Sequence, residues 1–327
     1  MELILNSYGV ALNRDNEAFV ITTEEGRQRI PTEGITSIQV SKGAQLSSDA
    51  IMLAIEKEIE VVIMDRGGKV VGRIWSPKYG SVSTIRRGQL NFTFSQDAID
   101  WIKQVVVRKI ENQQALLMMF NPGTITSTTD DFAVAIRKLE DYRTKVLKLK
   151  GDTISDIASQ IRGWEGAASR IYFEVINQAL PESVRFDARS QHPALDVPNA
   201  FLNYGYGILY GKIEGALIKV GIDPYVGVLH RDNYNRPVLV YDVIELYRIW
   251  VDYVVFSLLK NNQITEEYYA IRDDGTYWLE PLGRRILIQS LNDYLEEKIE
   301  SQGVSRSRYY QMVLYVQDLA QKFKRYK

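Results

Sequence analysis

The hydrophobic period of this chain changes once, and that change limits the folds open to it. Up to about residue 75 the apolar residues come in short β-branched runs: Phe19-Val20-Ile21, Ile35-Thr36-Ser37-Ile38-Gln39-Val40 and Val61-Val62-Ile63-Met64, each bounded by Gly, Asn or Asp. Beyond the breaker cluster Ser76-Pro77-Lys78-Tyr79-Gly80 the apolar residues recur at helical spacing over long windows. The expected fold class is therefore α+β in two domains. A small N-terminal β-sheet domain covers residues 1–76, a linker 77–90, and a larger all-α domain 91–327.

Within the first part, Ile38 and Val40 alternate with Ser37 and Gln39, the pattern of a half-buried strand. Asp65-Arg66-Gly67-Gly68 reads as a hairpin turn. One short helix is expected from Ser48 to Lys57, capped by a hydroxyl or carboxylate of Ser47, Ser48 or Asp49. In the second part, helices are expected over Trp101–Phe120, stopped by Asn121-Pro122-Gly123, and over Phe132–Leu149, with Thr124–Asp130 as a polar loop between them. Further helices are expected over Thr153–Ala179, from Pro198 to about Val220, over Tyr241–Leu259, near Leu282–Ile299 and over Ser305–Lys324. His192 precedes Pro193, which disfavours helix there and reads as a loop residue with no ligand role.

With 45% apolar and 25% charged residues, the 327-residue chain is ordinary for a folded protein. It has no cysteine, which excludes disulfides, thiolate zinc sites, thiol nucleophiles and iron–sulfur clusters. Two histidines, His192 and His230, cannot build a three-imidazole site. A metal would thus be held largely by oxygen, which favours magnesium or manganese. No signal peptide and no membrane-length apolar run is evident, so a cytoplasmic protein is expected. The net charge of −1 gives no support to nucleic-acid binding, although basic residues gather at Arg86-Arg87, Arg108-Lys109, Arg143–Lys150, Arg306–Arg308 and Lys322–Lys327.

One stretch stands out. His230 closes an apolar run, a polar turn follows, and Asp242 and Glu245 then lie three residues apart on one face of the next apolar segment. Two carboxylates within reach of an imidazole are the raw material of a divalent-metal site. A core histidine and two acids in a helix's first turn would give the same pattern for structural reasons. Upstream, Glu165 falls on or beside the stripe formed by Ile154, Ile157, Ile161, Ala168, Ile171 and Val175. A carboxylate there is desolvated unless it is paired, protonated, metal-bound or reaches water at the helix edge. No phosphate loop, Gly-x-Gly-x-x-Gly or Gly-x-Ser-x-Gly element is present in a supporting context.

Four segments in order carry a family resemblance: Gly163-Trp164-Glu165-Gly166-Ala167-Ala168-Ser169-Arg170-Ile171-Tyr172-Phe173, Asn199-Ala200-Phe201-Leu202-Asn203-Tyr204-Gly205-Tyr206, Gly221–His230 and Asp242-Val243-Ile244-Glu245-Leu246-Tyr247-Arg248. Ile59–Asp65 and Lys109-Ile110-Glu111-Asn112-Gln113 match in kind. Together they resemble the CRISPR-associated spacer-acquisition integrase, the universal adaptation endonuclease of CRISPR systems. The resemblance implies a small β domain, used in dimerisation, joined to a helical metal-dependent catalytic domain. It implies Glu165, His230 and Glu245 as ligands of Mg2+ or Mn2+, with Asp242 as an auxiliary catalytic acid. It places Tyr210 near the reacting DNA end and makes Arg231, Arg236 and Arg248 candidate DNA contacts. The implied chemistry is transesterification that joins short foreign-DNA fragments to a CRISPR array. The implied partners are DNA, a second copy of the chain and a small CRISPR-associated adaptation protein. A non-catalytic DNA-binding scaffold of the same fold is the alternative.

Overall fold

The computed structural model describes residues 2–65, 70–74, 82–121, 130–191, 193–230, 236–301 and 303–326. Contacts divide the chain into two compact units, residues 1–80 and 81–327. The expected turn at 66–68, most of the 124–130 loop, and His192 lie outside the described residues, as do residues 77–81 of the expected linker.

The first unit holds two four-stranded sheets and one helix. Strands β1 (Glu2–Leu5), β5 (Ser37–Ser41), β7 (Glu60–Met64) and β8 (Val70–Ile74) form a mixed sheet in the order β1-β5-β7-β8. The first three strands are parallel and β8 is antiparallel to β7. Strands β2 (Ala11–Asp15), β3 (Ala18–Thr23), β4 (Gly26–Pro31) and β6 (Gln45–Leu46) form the second sheet, ordered β4-β3-β2-β6. Helix α1 (Ser48–Glu56) starts at Ser47, whose hydroxyl accepts the Ala50 amide at 3.2 Å. Leu5, Leu12, Phe19, Ile38 and Leu53 fill the shared core.

The half-buried reading of β5 needs correction. Parallel strands lie on both sides of it, and Ser37 and Gln39 are buried as well as Ile38 and Val40. Their polar atoms are satisfied by one carboxylate: Ser37 donates to Glu2 Oε1 at 3.3 Å and Gln39 to Glu2 Oε2 at 3.1 Å.

The second unit is mostly helical: α2 (Val82–Phe92), α3 (Gln96–Phe120), α4 (Asp131–Lys148), α5 (Ile154–Gln178), α6 (Val197–Lys219), α7 (Val238–Ile244), α8 (Arg248–Lys260), α9 (Pro281–Glu296) and α10 (Arg308–Phe323). Two antiparallel ribbons, β9–β10 (Tyr269–Ile271, Tyr277–Leu279) and β11–β12 (Lys298–Ser301, Val304–Ser307), interrupt the all-α pattern expected there. Residues 82–90, expected as connecting chain, are helical in α2. Helices α3, α4 and α5 pack pairwise, and α6 packs against α7 and α8. Among the described residues no helix is long and apolar enough to cross a membrane.

Gly88 marks where α2 meets the end of α10. A Cβ at this position would stand 1.9 Å from the Phe323 carbonyl oxygen, so only glycine permits the approach. Around it, Phe92 packs on Phe323 and Tyr326 with ring centroids 5.0 and 5.2 Å apart, and Trp101 donates to the Tyr315 hydroxyl at 2.8 Å.

Candidate active site

The segment expected as one helix, Tyr241–Leu259, is two. Helix α7 begins at Val238, Glu245 caps its C-terminus, and α8 restarts at Arg248. Leu246 and Tyr247 amides reach back three residues to Val243 and Ile244, tightening the turn. The side-chain amide of Asn112 on α3 donates to the freed Leu246 carbonyl at 3.1 Å. Asp242 and Glu245 therefore close a helix and do not open one. At that end the helix dipole disfavours a carboxylate, so the dipole cannot explain why two acids stand there.

Two helices converge on Glu245. From α3, the buried ammonium of Lys109 lies 2.5 Å from Glu245 Oε2 and also pairs with Glu165 of α5. From α8, Arg248 Nε donates to Glu245 Oε1 at 2.8 Å, and its guanidinium lies 4.8 Å from the Tyr206 ring centre. Burial alone would raise the Glu245 pKa; Arg248 and Lys109 outweigh it and hold the carboxyl near about 2. Burial likewise opposes charge on Lys109, and the two glutamates outweigh it, raising its pKa. Glu165 also accepts from the Ser169 hydroxyl at 3.3 Å.

His230 sits on the loop between α6 and α7, and Asp242 holds it there. Nδ1 of the imidazole lies 2.7 Å from Asp242 Oδ1. The fully buried Asp242 carboxylate also accepts the backbone amides of Val228 at 2.7 Å, Leu229 at 3.2 Å and His230 at 3.3 Å. Gly227 makes the loop possible: a Cβ there would lie 2.8 Å from the His230 carbonyl oxygen and 2.9 Å from Val238 Cγ2. Burial lowers the imidazole's proton affinity. The hydrogen bond and charge of Asp242, then the charges of Glu245 and Glu165, more than offset this, so the pKa is raised. All three carboxylates thus favour the charged imidazole.

Beneath these groups lies a second polar layer. Tyr172 donates to Asp252 Oδ2 at 2.9 Å, and Tyr206 donates to Oδ1. Burial pushes the Asp252 pKa up to about 6 against the pull of both hydroxyls. Arg189 donates to Asn199 Oδ1 and Asn203 Oδ1, each at 2.6 Å. The Asn199–Tyr206 segment is thus a cradle that fixes α6 behind the site.

Of the expected DNA contacts, Arg236 is exposed and Tyr210 is half-buried against Tyr241, ring centres 5.4 Å apart. Tyr241 in turn lies 6.0 Å from the His230 ring. Arg248 is turned inward to Glu245, and Arg231 lies outside the described residues. Sequence reasoning gave Lys109 no role in the site, naming it only in a basic cluster and in the Lys109–Gln113 segment of the resemblance. Its signal was position: it falls on the buried stripe Ile102, Val105, Val106, Gln113, Leu116 and Leu117 of α3, where a charge requires a partner.

Residues 3–293 match the family model described as CRISPR associated protein Cas1. The chain belongs to the Cas1 family. The CRISPR-associated endonuclease Cas1 1 of Archaeoglobus fulgidus is 29% identical over 93% of this chain and 90% of its own. A casposase bound to integration product superposes with a TM-score of 0.83 at 23% identity, over 100% of this chain and 91% of that one. A chain of a Cas6-RT-Cas1–Cas2 complex gives 0.81 at 22% identity, over 99% of this chain and 35% of that one. The Cas1 fold is thereby shared along the whole length of this chain, an N-terminal β region followed by a mostly helical part.

Among the described residues no three His, Asp or Glu side chains are gathered closely enough to hold a metal ion. The Lys109 ammonium lies between two of the three expected ligands. The residues nevertheless suit a divalent ion. Glu165 and Glu245 already share one cation, and the Asp242–His230 pair is the carboxylate–imidazole arrangement that orients a metal-binding histidine, leaving Nε2 for the ligand.

Proposed function

We propose that this Cas1 chain is a metal-dependent DNA endonuclease and integrase of CRISPR adaptation, which joins short foreign-DNA fragments to the CRISPR array by transesterification. The observation that carries the reading is the convergence of Glu165 and Glu245, from separate helices, on one cation beside a histidine oriented by Asp242. Glu165, His230 and Glu245 hold Mg2+ or Mn2+, which when bound offsets charge on the phosphoryl oxygens and favours the deprotonated nucleophile. Asp242 fixes the tautomer and direction of His230. Arg248 keeps Glu245 ionised, and the Asn199–Tyr206 cradle keeps Arg248 in register. In the reaction, the 3′-hydroxyl oxygen of the fragment forms a new P–O bond at the leader–repeat junction as the original P–O3′ bond breaks.

Tyr210, Arg231 and Arg236 contact DNA in this reading. The protein acts as a homodimer with a small CRISPR-associated adaptation protein, in line with the Cas1–Cas2 complex among the structural neighbours. A non-catalytic DNA-binding scaffold is the second reading, favoured by the way Lys109 neutralises both glutamates without a metal.

Strand transfer of a labelled duplex into a plasmid bearing a CRISPR array, with the adaptation partner present, decides between them. Metal-dependent joining by the wild type that is lost in His230→Ala is the expected result. Joining that persists in the mutant overturns the site, and no joining by the wild type with either metal transfers the weight to the scaffold.

A further inference from the structure

Lys109 is 8% exposed, and its ammonium is shared by Glu165 and Glu245, the two carboxylates assigned to the metal. A lysine side chain is a point charge on four rotatable carbons, well suited to move between two seats. A second seat is present. One helical turn along α3, the Gln113 amide nitrogen donates to the Ser169 hydroxyl at 3.3 Å, and Oε1 is buried with no hydrogen-bond partner among the described residues. A cavity of about 30 Å³ opens here, lined by Lys109, Gln113, Ser169 and Glu245 among others. A space of that size accommodates about one water, or a small polar head group. Buried acceptors in folded proteins are nearly always satisfied, so an orphan carbonyl on a residue that lines such a space points to a donor that arrives there.

A monovalent and a divalent cation cannot share the same pair of oxygens, because like charges at contact repel strongly in a partly buried site. We propose that Lys109 is a tethered counter-cation: it holds Glu165 and Glu245 together in the metal-free protein, competes with the divalent ion for them, and swings to Gln113 Oε1 when the ion binds. It is a positioning residue and touches neither metal nor substrate. Two consequences follow from the competition. The metal-free site stays compact without uncompensated buried charge, and the affinity for the ion is set below what the naked ligand set would give. This rests on the metal-dependent reading above.

The test is a Mn2+ binding isotherm on the full chain, read from the electron paramagnetic resonance of free Mn2+, together with melting curves in chelator and in saturating Mn2+. Lys109→Met is expected to bind Mn2+ about tenfold tighter or more than wild type, to melt lower in chelator, and to gain more from saturation. Gln113→Leu, which removes the second seat and conserves bulk, is expected to bind Mn2+ more weakly than wild type. Affinity that is equal or weaker in Lys109→Met overturns the proposal. If that variant does not fold, unchanged affinity in Gln113→Leu overturns it instead. Failure of the metal reading looks different: wild type and Glu165→Ala would then show the same absence of stoichiometric Mn2+ binding, and the proposal would fall with it.

Discussion

His230 and Asp242 form one unit: the imidazole Nδ1 stands 2.7 Å from Oδ1 of a carboxylate that also receives three backbone amides of the histidine's own loop. The side chain that orients the imidazole also folds the loop that carries it. Position and tautomer of His230 therefore cannot be separated by mutation at Asp242.

Asp242→Ala should leave those amides and the imidazole without an acceptor in a fully buried place. The expected cost is roughly 2–5 kcal/mol, from unmet buried donors that had faced an ionised group. Chemical denaturation measures it. A loss below about 0.5 kcal/mol would mean that water replaces the carboxylate without penalty.

The raised pKa of His230 has a signed consequence. The folded protein favours the imidazolium, so this stabilisation is complete below about pH 6.5, the ordinary value, and is lost as pH rises through the higher folded value. The stability difference between wild type and His230→Gln should shrink over that window. Metal binding requires the neutral ring and should strengthen across it. Melting curves and Mn2+ isotherms at a series of pH values check both trends, and a flat pair of profiles would contradict them.

Asp252 behaves in the opposite sense to an ordinary surface acid. Its pKa is raised from 3.8 to about 6, so the folded state holds a proton that the unfolded state has released. Stability from this group is greatest at low pH and declines as pH rises from about 4 through about 6, by up to roughly 3 kcal/mol at 1.4 kcal/mol per unit. Asp252→Asn should flatten the stability profile across that interval. An unchanged slope would place the proton elsewhere.

Gly227→Ala should be damaging out of proportion to its size, because the added carbon meets a backbone oxygen 2.8 Å away. The loop has to shift, taking His230 with it. Strand transfer is expected to fall roughly tenfold or more, since misplacement of a reacting group by an ångström costs that much. The neighbouring substitution Val226→Ala is the control that should keep activity.

Arg236, exposed just before α7, should matter to DNA only through charge. Arg236→Ala is expected to weaken binding uniformly across sequences and to reduce the salt dependence of log K by about one unit of slope. Unchanged slope would remove it from the DNA contacts.

Much of this site was legible in the sequence because its signals are local. Glu165 on a helical stripe, and a histidine followed by two acids, can be read by counting residues. The break between α7 and α8 could not be read in this way. It depends on Asn112, 134 residues away from Leu246, accepting responsibility for one carbonyl. The β11–β12 ribbon escaped for a different reason: Lys298 and Glu300 are good helix formers, and the turn relies on Gly303 at φ +75°. Lys109 was visible as a charge on an apolar stripe, but its partners lie on two other helices, and only the fold brings them to it.

The contact of α2 with α10 has a bearing on how the chain comes to be folded. Beside it, Trp101 at the start of α3 and Tyr315 of α10, joined by a hydrogen bond, stand 214 positions apart. During synthesis the aromatic face around Phe92 emerges well before α10 and waits, uncovered, until that helix has been translated. Closing so large a loop is slow in itself, and the waiting surface is oily. The helical unit is thus a late-maturing body, most exposed to aggregation or chaperone capture in the interval before α10 arrives.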